Sequence, residues 1–192
     1  ARCDYVFFDM EHSGFSFETL KQAVRYFEAA SVPVIVRSPS KDYDVIARIC
    51  DAGAEGIMVP MIKDAAEAEQ MVHHIKYPPV GGRGVALGIA HDNYHAGGVS
   101  VSERLENANK RTTFFALIET SEGAENADAI AATPGVDCLW VGHFDLTASL
   151  GIPGQFENLD YLTALGRIIQ AAKNHNRSLG RLVGSSKEGL AD

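Results

Sequence analysis

One repeated unit constrains this chain more than anything else in it: a short, near-continuous apolar run, then an amphipathic stretch, then the next run. Tyr5-Val6-Phe7-Phe8 stops at Asp9-Met10-Glu11-His12, and Phe17 to Ala30 follows with Leu20, Val24 and Phe27 at helical spacing. Val32-Pro33-Val34-Ile35-Val36 closes on Arg37-Ser38-Pro39, and Val45, Ile46 and Ile49 predict a helix over Tyr43 to Ala52, ahead of Gly53. Gly56 to Met61 is the third run, with a helix predicted over Ala65 to Ile75. The pattern then pauses. Tyr77-Pro78-Pro79-Val80-Gly81-Gly82-Arg83-Gly84 opens a Gly-rich segment reaching Gly98, too long for an ordinary turn and so a functional or mobile loop. A polar helix is predicted over Val101 to Asn109. Phe114 to Ile118 is the fourth run, a helix over Ala124 to Ala132 follows, and Asp137 to Gly142 is the fifth run. A helix over Tyr161 to Asn174 and a strand over Ser178 to Val183 complete the pattern.

Apolar strands separated by helices indicate an α/β fold with a parallel sheet covered on both faces. About six strand–helix units are present, where a closed (β/α)8 barrel needs eight. An open doubly wound sheet is the alternative, but it usually carries a Gly-rich phosphate turn after its first strand, and Phe8-Asp9-Met10-Glu11 is not one. Residue 1 begins almost on a strand and a last helix has barely started at Asp192, so further units are expected on each side. With 192 residues and 46% hydrophobic content, residues 1–192 are expected to form a single barrel domain around one core.

Charge narrows the partners. A formal charge of −8 disfavours nucleic acid, which needs clustered Lys and Arg, but leaves small anionic substrates open, because one Arg can bind a carboxylate. No apolar run is long enough to span a bilayer, and no charged-then-apolar leader precedes the first strand. The three cysteines, Cys3, Cys50 and Cys138, are far apart, odd in number and form no CxxC pair. Reduced, mostly buried thiols and a cytoplasmic location are the expectation.

The chemistry-bearing side chains fall at strand C-terminal ends: Glu11 and His12 after the first strand, Arg37 after the second, Glu119 after the fourth and Asp145 after the fifth. In a parallel barrel those ends converge on the face where active sites lie. Glu119 and Asp145, with water and a chelating 2-oxo acid, would make an oxygen shell suited to Mg²⁺ or Mn²⁺. Alternatively each caps the helix that follows it. Arg37 offers a permanently charged donor fork to a carboxylate or enolate, or else forms a structural salt bridge at the mouth of the sheet. His12 is the candidate general base, or simply a satisfied polar residue. Lys63, just past a strand end, reads as a solvated helix-start lysine ahead of a Schiff-base former. No Walker loop, HExxH or GxSxG is present.

Asp9-Met10-Glu11-His12, Val36-Arg37, Val59-Pro60-Met61, Tyr77-Pro78-Pro79 with Gly82-Arg83-Gly84, Ile118-Glu119-Thr120 and Gly142-His143-Phe144-Asp145-Leu146-Thr147-Ala148-Ser149-Leu150-Gly151 occur in the order and spacing of one known family. Over nearly its whole length the chain resembles the HpcH/HpaI aldolases, of the 4-hydroxy-2-oxoheptanedioate and 2-keto-3-deoxy-L-rhamnonate aldolase type. The resemblance implies a (β/α)8 TIM barrel of the phosphoenolpyruvate/pyruvate type, incomplete at both ends here. It also implies a homohexamer, a trimer of dimers, with a C-terminal helix exchanged between subunits. The implied activity is class II aldol cleavage of a 4-hydroxy-2-oxo acid to pyruvate, or a related 2-oxo acid, and an aldehyde, using Mg²⁺, Mn²⁺ or Co²⁺. Glu119 and Asp145 carry over as metal ligands, Arg37 as the residue that steadies the enolate, and His12 as the acid/base. Asp51 carries over as the partner of His12, and the backbone of Phe144 and Asp145 as the contact for the pyruvate carboxylate. Two positions depart from the family pattern: Leu117 stands where a Gln is usual, and His143 where a Pro is usual. Both bear on the aldehyde more than on the pyruvate half. The rival readings are a CoA-thioester lyase of the citrate-lyase β type, which would need a basic groove, and a non-catalytic barrel that binds a 2-oxo acid.

Overall fold

The computed structural model describes residues 3–95 and 97–185. Six strands form one parallel sheet in sequence order: β1 (Val6–Asp9), β2 (Val34–Arg37), β3 (Gly56–Val59), β4 (Thr113–Ile118), β5 (Cys138–Val141) and β6 (Ser178–Arg181). Helices α1 (Phe17–Ala29), α2 (Tyr43–Asp51), α3 (Ala65–Ile75) and α4 (Val101–Arg111) connect the first four. After β4 come α5 (Ser121–Glu125) and α6 (Ala127–Ala132); α7 (His143–Ser149) and α8 (Leu159–Asn174) lie between β5 and β6. A sheet in which every neighbour is the next strand in sequence is the wound, curled arrangement, not the doubly wound alternative, whose strand order reverses. The strand at 178–183 ends at Arg181, and the last helix expected near Asp192 lies outside the described residues.

Side chains alternate between the two faces. Val34, Val36, Ile57, Val59, Phe114, Ala116, Ile118, Leu139 and Val141 point to the helices and share one core with α1, α2, α3, α6 and α8. Ile35, Met58 and Leu117 point the other way, where Phe115 and Trp140 pack against them. The helices therefore cover one face, and the other is the concave inner face. Registers place Asp9 beside Arg37, Arg37 beside Met58, and Met58 beside Phe115, so the inner face is built in rows. Gly56 is needed in one of them: a Cβ there would lie 2.8 Å from Ile35 and 2.9 Å from Phe115.

Local signals set the helix starts. Ser16, Asp64, Ser100, Thr120 and Asn158 each accept a hydrogen bond from a first-turn amide, which satisfies an otherwise orphaned donor. The helix expected over Ala124 to Ala132 is two helices instead: Thr120 starts the first early, and Asn126 ends it and begins the second. The cysteines are mostly buried, as expected: Cys50 and Cys138 are buried and Cys3 is exposed. Among the described residues no helix is long and apolar enough to cross a membrane.

Candidate active site

The strand C-terminal ends open into a cavity of about 290 Å³ whose wall includes Arg37, Met58, Leu117, Glu119, Trp140 and Asp145. Arg37, the last residue of β2, lies opposite Asp9, the last residue of β1, across the parallel register. Its guanidinium donates to both Asp9 oxygens, from Nε at 2.9 Å and from Nη2 at 2.6 Å, and Nη1 lies 3.2 Å from Glu11 Oε2. The salt-bridge reading of Arg37 is realised, and Arg37 itself lines the cavity. Burial alone would raise the Asp9 carboxyl; the Arg37 hydrogen bond, the amides of Glu11 and His12 and the Arg37 charge outweigh it and hold Asp9 below the usual range. Asp9 raises Arg37 further still, against the opposing effect of burial.

Glu119 follows β4 directly and is 4% exposed. One oxygen, Oε1, accepts the Met61 N–H at 2.8 Å. Burial raises this carboxyl most; Met61 N–H and the Arg37 charge oppose it, the charges of Asp145 and Glu11 add to it, and the result is about 7. Neither Glu119 nor Asp145 caps a helix. Thr120 caps α5, and α7 begins at Gly142 with no side-chain cap, which leaves Asp145 exposed in its first turn. Gly142 gives the carboxylate its room: a Cβ there would lie 2.4 Å from Glu119 Oε2.

This donor set fits a hard divalent cation. The charges of Asp145 and Glu11 each repel that of Glu119, Glu119 and Asp145 line the cavity, and the nearby Arg37 is already shared with Asp9. Among the described residues no three-residue cage of His, Cys, Asp or Glu is present. An ion of the Mg²⁺ class keeps its waters and needs only one or two protein carboxylates.

The other expected residues fall as follows. His12 is exposed one residue past Glu11, with Nε2 3.6 Å from Glu11 Oε2. Asp51 ends α2, where Oδ1 accepts from Arg83 Nη2 at 2.5 Å. Among the described residues no hydrogen bond or ion pair joins Asp51 to His12. Arg83, 3% exposed, also lies over the Tyr77 ring at 4.3 Å. Phe144 and Asp145 occupy the first turn of α7, whose first amide bonded within the helix is that of Leu146, to Gly142 O. Leu117 is buried in the cavity wall, and the His143 ring lies tilted against Phe144 at 4.6 Å and meets Phe156 edge-on at 5.3 Å. Lys63 is half exposed with Nζ 3.8 Å from Glu67, in keeping with the solvated reading.

Sequence reasoning missed Asp9, the direct Glu11–Arg37 contact and the Met61 amide. Asp9 alone carried a signal, as an acid at a strand end one element before Arg37. The Met61 amide carried none.

A family model described as HpcH/HpaI aldolase/citrate lyase matches residues 1–188. Over 181 residues the chain is 36% identical to a 5-keto-4-deoxy-D-glucarate aldolase of Shigella boydii serotype 18, covering 94% of this chain and 68% of that protein. Over 171 residues it is 37% identical to a hydroxypyruvate/pyruvate aldolase of Paraburkholderia phytofirmans, covering 88% of this chain and 66% of that one. The chain thus spans about two thirds of the curated relatives it matches. A crystal structure of an HpcH/HpaI aldolase from Desulfitobacterium hafniense superposes with a TM-score of 0.89 at 32% identity, covering 98% of this chain and 72% of that one.

Proposed function

The chain belongs to the HpcH/HpaI aldolase/citrate lyase family, and from that premise we propose that it reversibly cleaves a 4-hydroxy-2-oxo acid into pyruvate, or a related 2-oxo acid, and an aldehyde. Glu119 and Asp145 hold the divalent cation in this reading. The observation that carries it is Glu119 itself, a carboxyl buried at a strand end, beside two other carboxylates and raised to about 7. A buried acid repelled by its neighbours is costly as a carboxylate until a cation joins it. Mg²⁺, Mn²⁺ or Co²⁺ bound there would supply Lewis acidity to the 2-oxo and carboxylate oxygens of the substrate.

The remaining steps belong to side chains and amides. Asp9 fixes the Arg37 plane through the two-bond fork, and the longer Glu11 contact is the one a substrate oxygen can replace. Arg37 then sets positive charge where the enolate oxygen develops. The first-turn amides of α7, at Phe144 and Asp145, donate to the substrate carboxylate, as helix N-termini do. His12 removes the 4-hydroxyl proton during cleavage and returns it during condensation. Asp51 is its orienting carboxylate, a role that requires Arg83 to share or release it. Leu117 replaces a polar contact with an apolar wall, and with His143 it bears on which aldehyde is accepted.

The proposal extends to architecture. The six strands are part of a closed (β/α)8 barrel of the phosphoenolpyruvate/pyruvate type, in a homohexamer built as a trimer of dimers and located in the cytoplasm. The wound strand order and relatives longer than this chain support the barrel; the hexamer and the location carry over from the family resemblance.

Condensation of pyruvate with a panel of aldehydes, with EDTA and with added Mg²⁺ or Mn²⁺, tests the activity. Product formed only with cation supports the reading. Product formed equally in EDTA overturns the metal-dependent reaction, and tight pyruvate binding without turnover overturns catalysis.

A further inference from the structure

Lys41, in the loop between β2 and α2, is tied into the site by contacts that its sequence position does not announce. Its ammonium donates to Met61 O at 2.6 Å and to Glu67 Oε2 at 2.7 Å. Met61 has φ of 57°, a left-handed conformation that costs a residue bearing a Cβ and therefore needs something to hold it. Two contacts hold it. The peptide that follows Met61 is gripped at its carbonyl by Lys41 and at the Ile62 N–H, which donates to Leu117 O at 3.2 Å. With that peptide fixed, the left-handed turn aims the Met61 N–H at Glu119 Oε1, 2.8 Å away.

The anchor on the far side is equally fixed. Glu67 lies in the first turn of α3, where its own N–H donates to Asp64 Oδ1 at 2.8 Å, and its Oε2 also accepts the Lys63 N–H at 3.2 Å. A chain of contacts thus runs from the start of α3 through Glu67, Lys41 and the Met61 peptide to Glu119.

We propose that Lys41 is a positioning residue for the cation site, acting through the Met61 peptide to fix the Glu119 carboxylate. This rests on the reading of Glu119 as a cation ligand. Without the ammonium, the Met61 carbonyl loses its strongest donor and the peptide relaxes from the left-handed region. The Met61 N–H then turns away, and Glu119 loses the hydrogen bond that orients it.

Mn²⁺ binding to the metal-free protein, followed by electron paramagnetic resonance of the free ion, tests this without reliance on turnover. Lys41→Ala and Lys41→Met are expected to bind Mn²⁺ about tenfold to a hundredfold more weakly, as losses of groups that orient ligands do. Lys41→Arg, which keeps a cation near the carbonyl, is expected to recover most of the affinity. In the Lys41→Ala background, Met61→Gly is expected to restore part of it, because glycine adopts positive φ without penalty. Lys63→Ala removes the other cation near Glu67 but leaves the Met61 carbonyl bonded, so affinity stays within about threefold. Circular dichroism establishes that each variant is folded; if Lys41→Ala is not, Lys41→Met and Lys41→Arg decide. Wild-type affinity in Lys41→Met overturns the proposal, and so does a loss in Lys63→Ala equal to that in Lys41→Ala. Mn²⁺ binding that survives Glu119→Gln would instead overturn the reading of the site itself.

Discussion

Gly142→Ala is the most informative single-atom change the site allows. Gly142 has φ of −89° and ψ of 80°, so its backbone does not require glycine, and the substitution acts through the added methyl alone. That methyl would lie 2.4 Å from Glu119 Oε2 and 2.6 Å from Glu119 Cβ, well inside van der Waals contact. Glu119 has little freedom to yield, being 4% exposed with Oε1 held by Met61 N–H at 2.8 Å. Overpacking of this kind costs about 1–3 kcal/mol. If the carboxylate moves aside instead, it gives up a charge-assisted hydrogen bond of about 1.5–3 kcal/mol. Either route predicts a loss of about 1–3 kcal/mol in urea unfolding, together with Mn²⁺ affinity lower by at least about tenfold. Gly166→Ala is the control: nothing lies within 4 Å of its new methyl, and it sits inside α8, so it should gain about 0.5–1 kcal/mol. A Gly142→Ala protein with the unfolding midpoint and Mn²⁺ affinity of the wild type would refute the geometry of the cradle.

The raised Glu119 carboxyl predicts a pH dependence of stability in EDTA. Its folded value of about 7 lies above its usual 4.5, so the folded state binds the extra proton and stability falls as pH rises between those values. Glu119→Gln should therefore unfold at higher urea than the wild type at pH 8, by on the order of 3 kcal/mol at most, and lose that advantage below pH 4.5; equal profiles would contradict it. Arg37→Lys cannot reproduce the fork on Asp9, and kcat/KM for cleavage should fall by about 10²–10³. His12→Ala should lower kcat by about 10²–10⁴ while Mn²⁺ affinity is unchanged, and a loss of both would reassign His12 to the cation site.

What the sequence made legible follows from what each feature depends on. The strands were readable because runs such as Val32 to Val36 and Phe114 to Ile118 are apolar on both faces, and the structure places β2 and β4 within two residues of them. That Glu119 and Asp145 would line one cavity was readable because Glu119 directly follows β4 and Asp145 lies in the first turn of the helix after β5. Starts without a capping side chain were harder: α7 follows Gly142 with nothing in the chain to mark it. The Asp9–Arg37 fork depends on the register between β1 and β2, and a single sequence does not contain it. The Met61 amide depends on a left-handed residue held by a lysine 20 positions earlier, which no local pattern encodes. Asp51 shows the opposite limit. Its role came from resemblance alone, and its carboxylate is engaged by Arg83.

The central claim is that Glu119 and Asp145 hold a cation that activates a 2-oxo acid. Exchange of the pyruvate methyl protons in D2O, followed by NMR, tests it most directly because it needs no aldehyde. The account predicts exchange that appears with Mg²⁺, stops in EDTA, and is absent in Glu119→Gln and Asp145→Asn. Exchange that persists without cation, or survives in both variants, would contradict it.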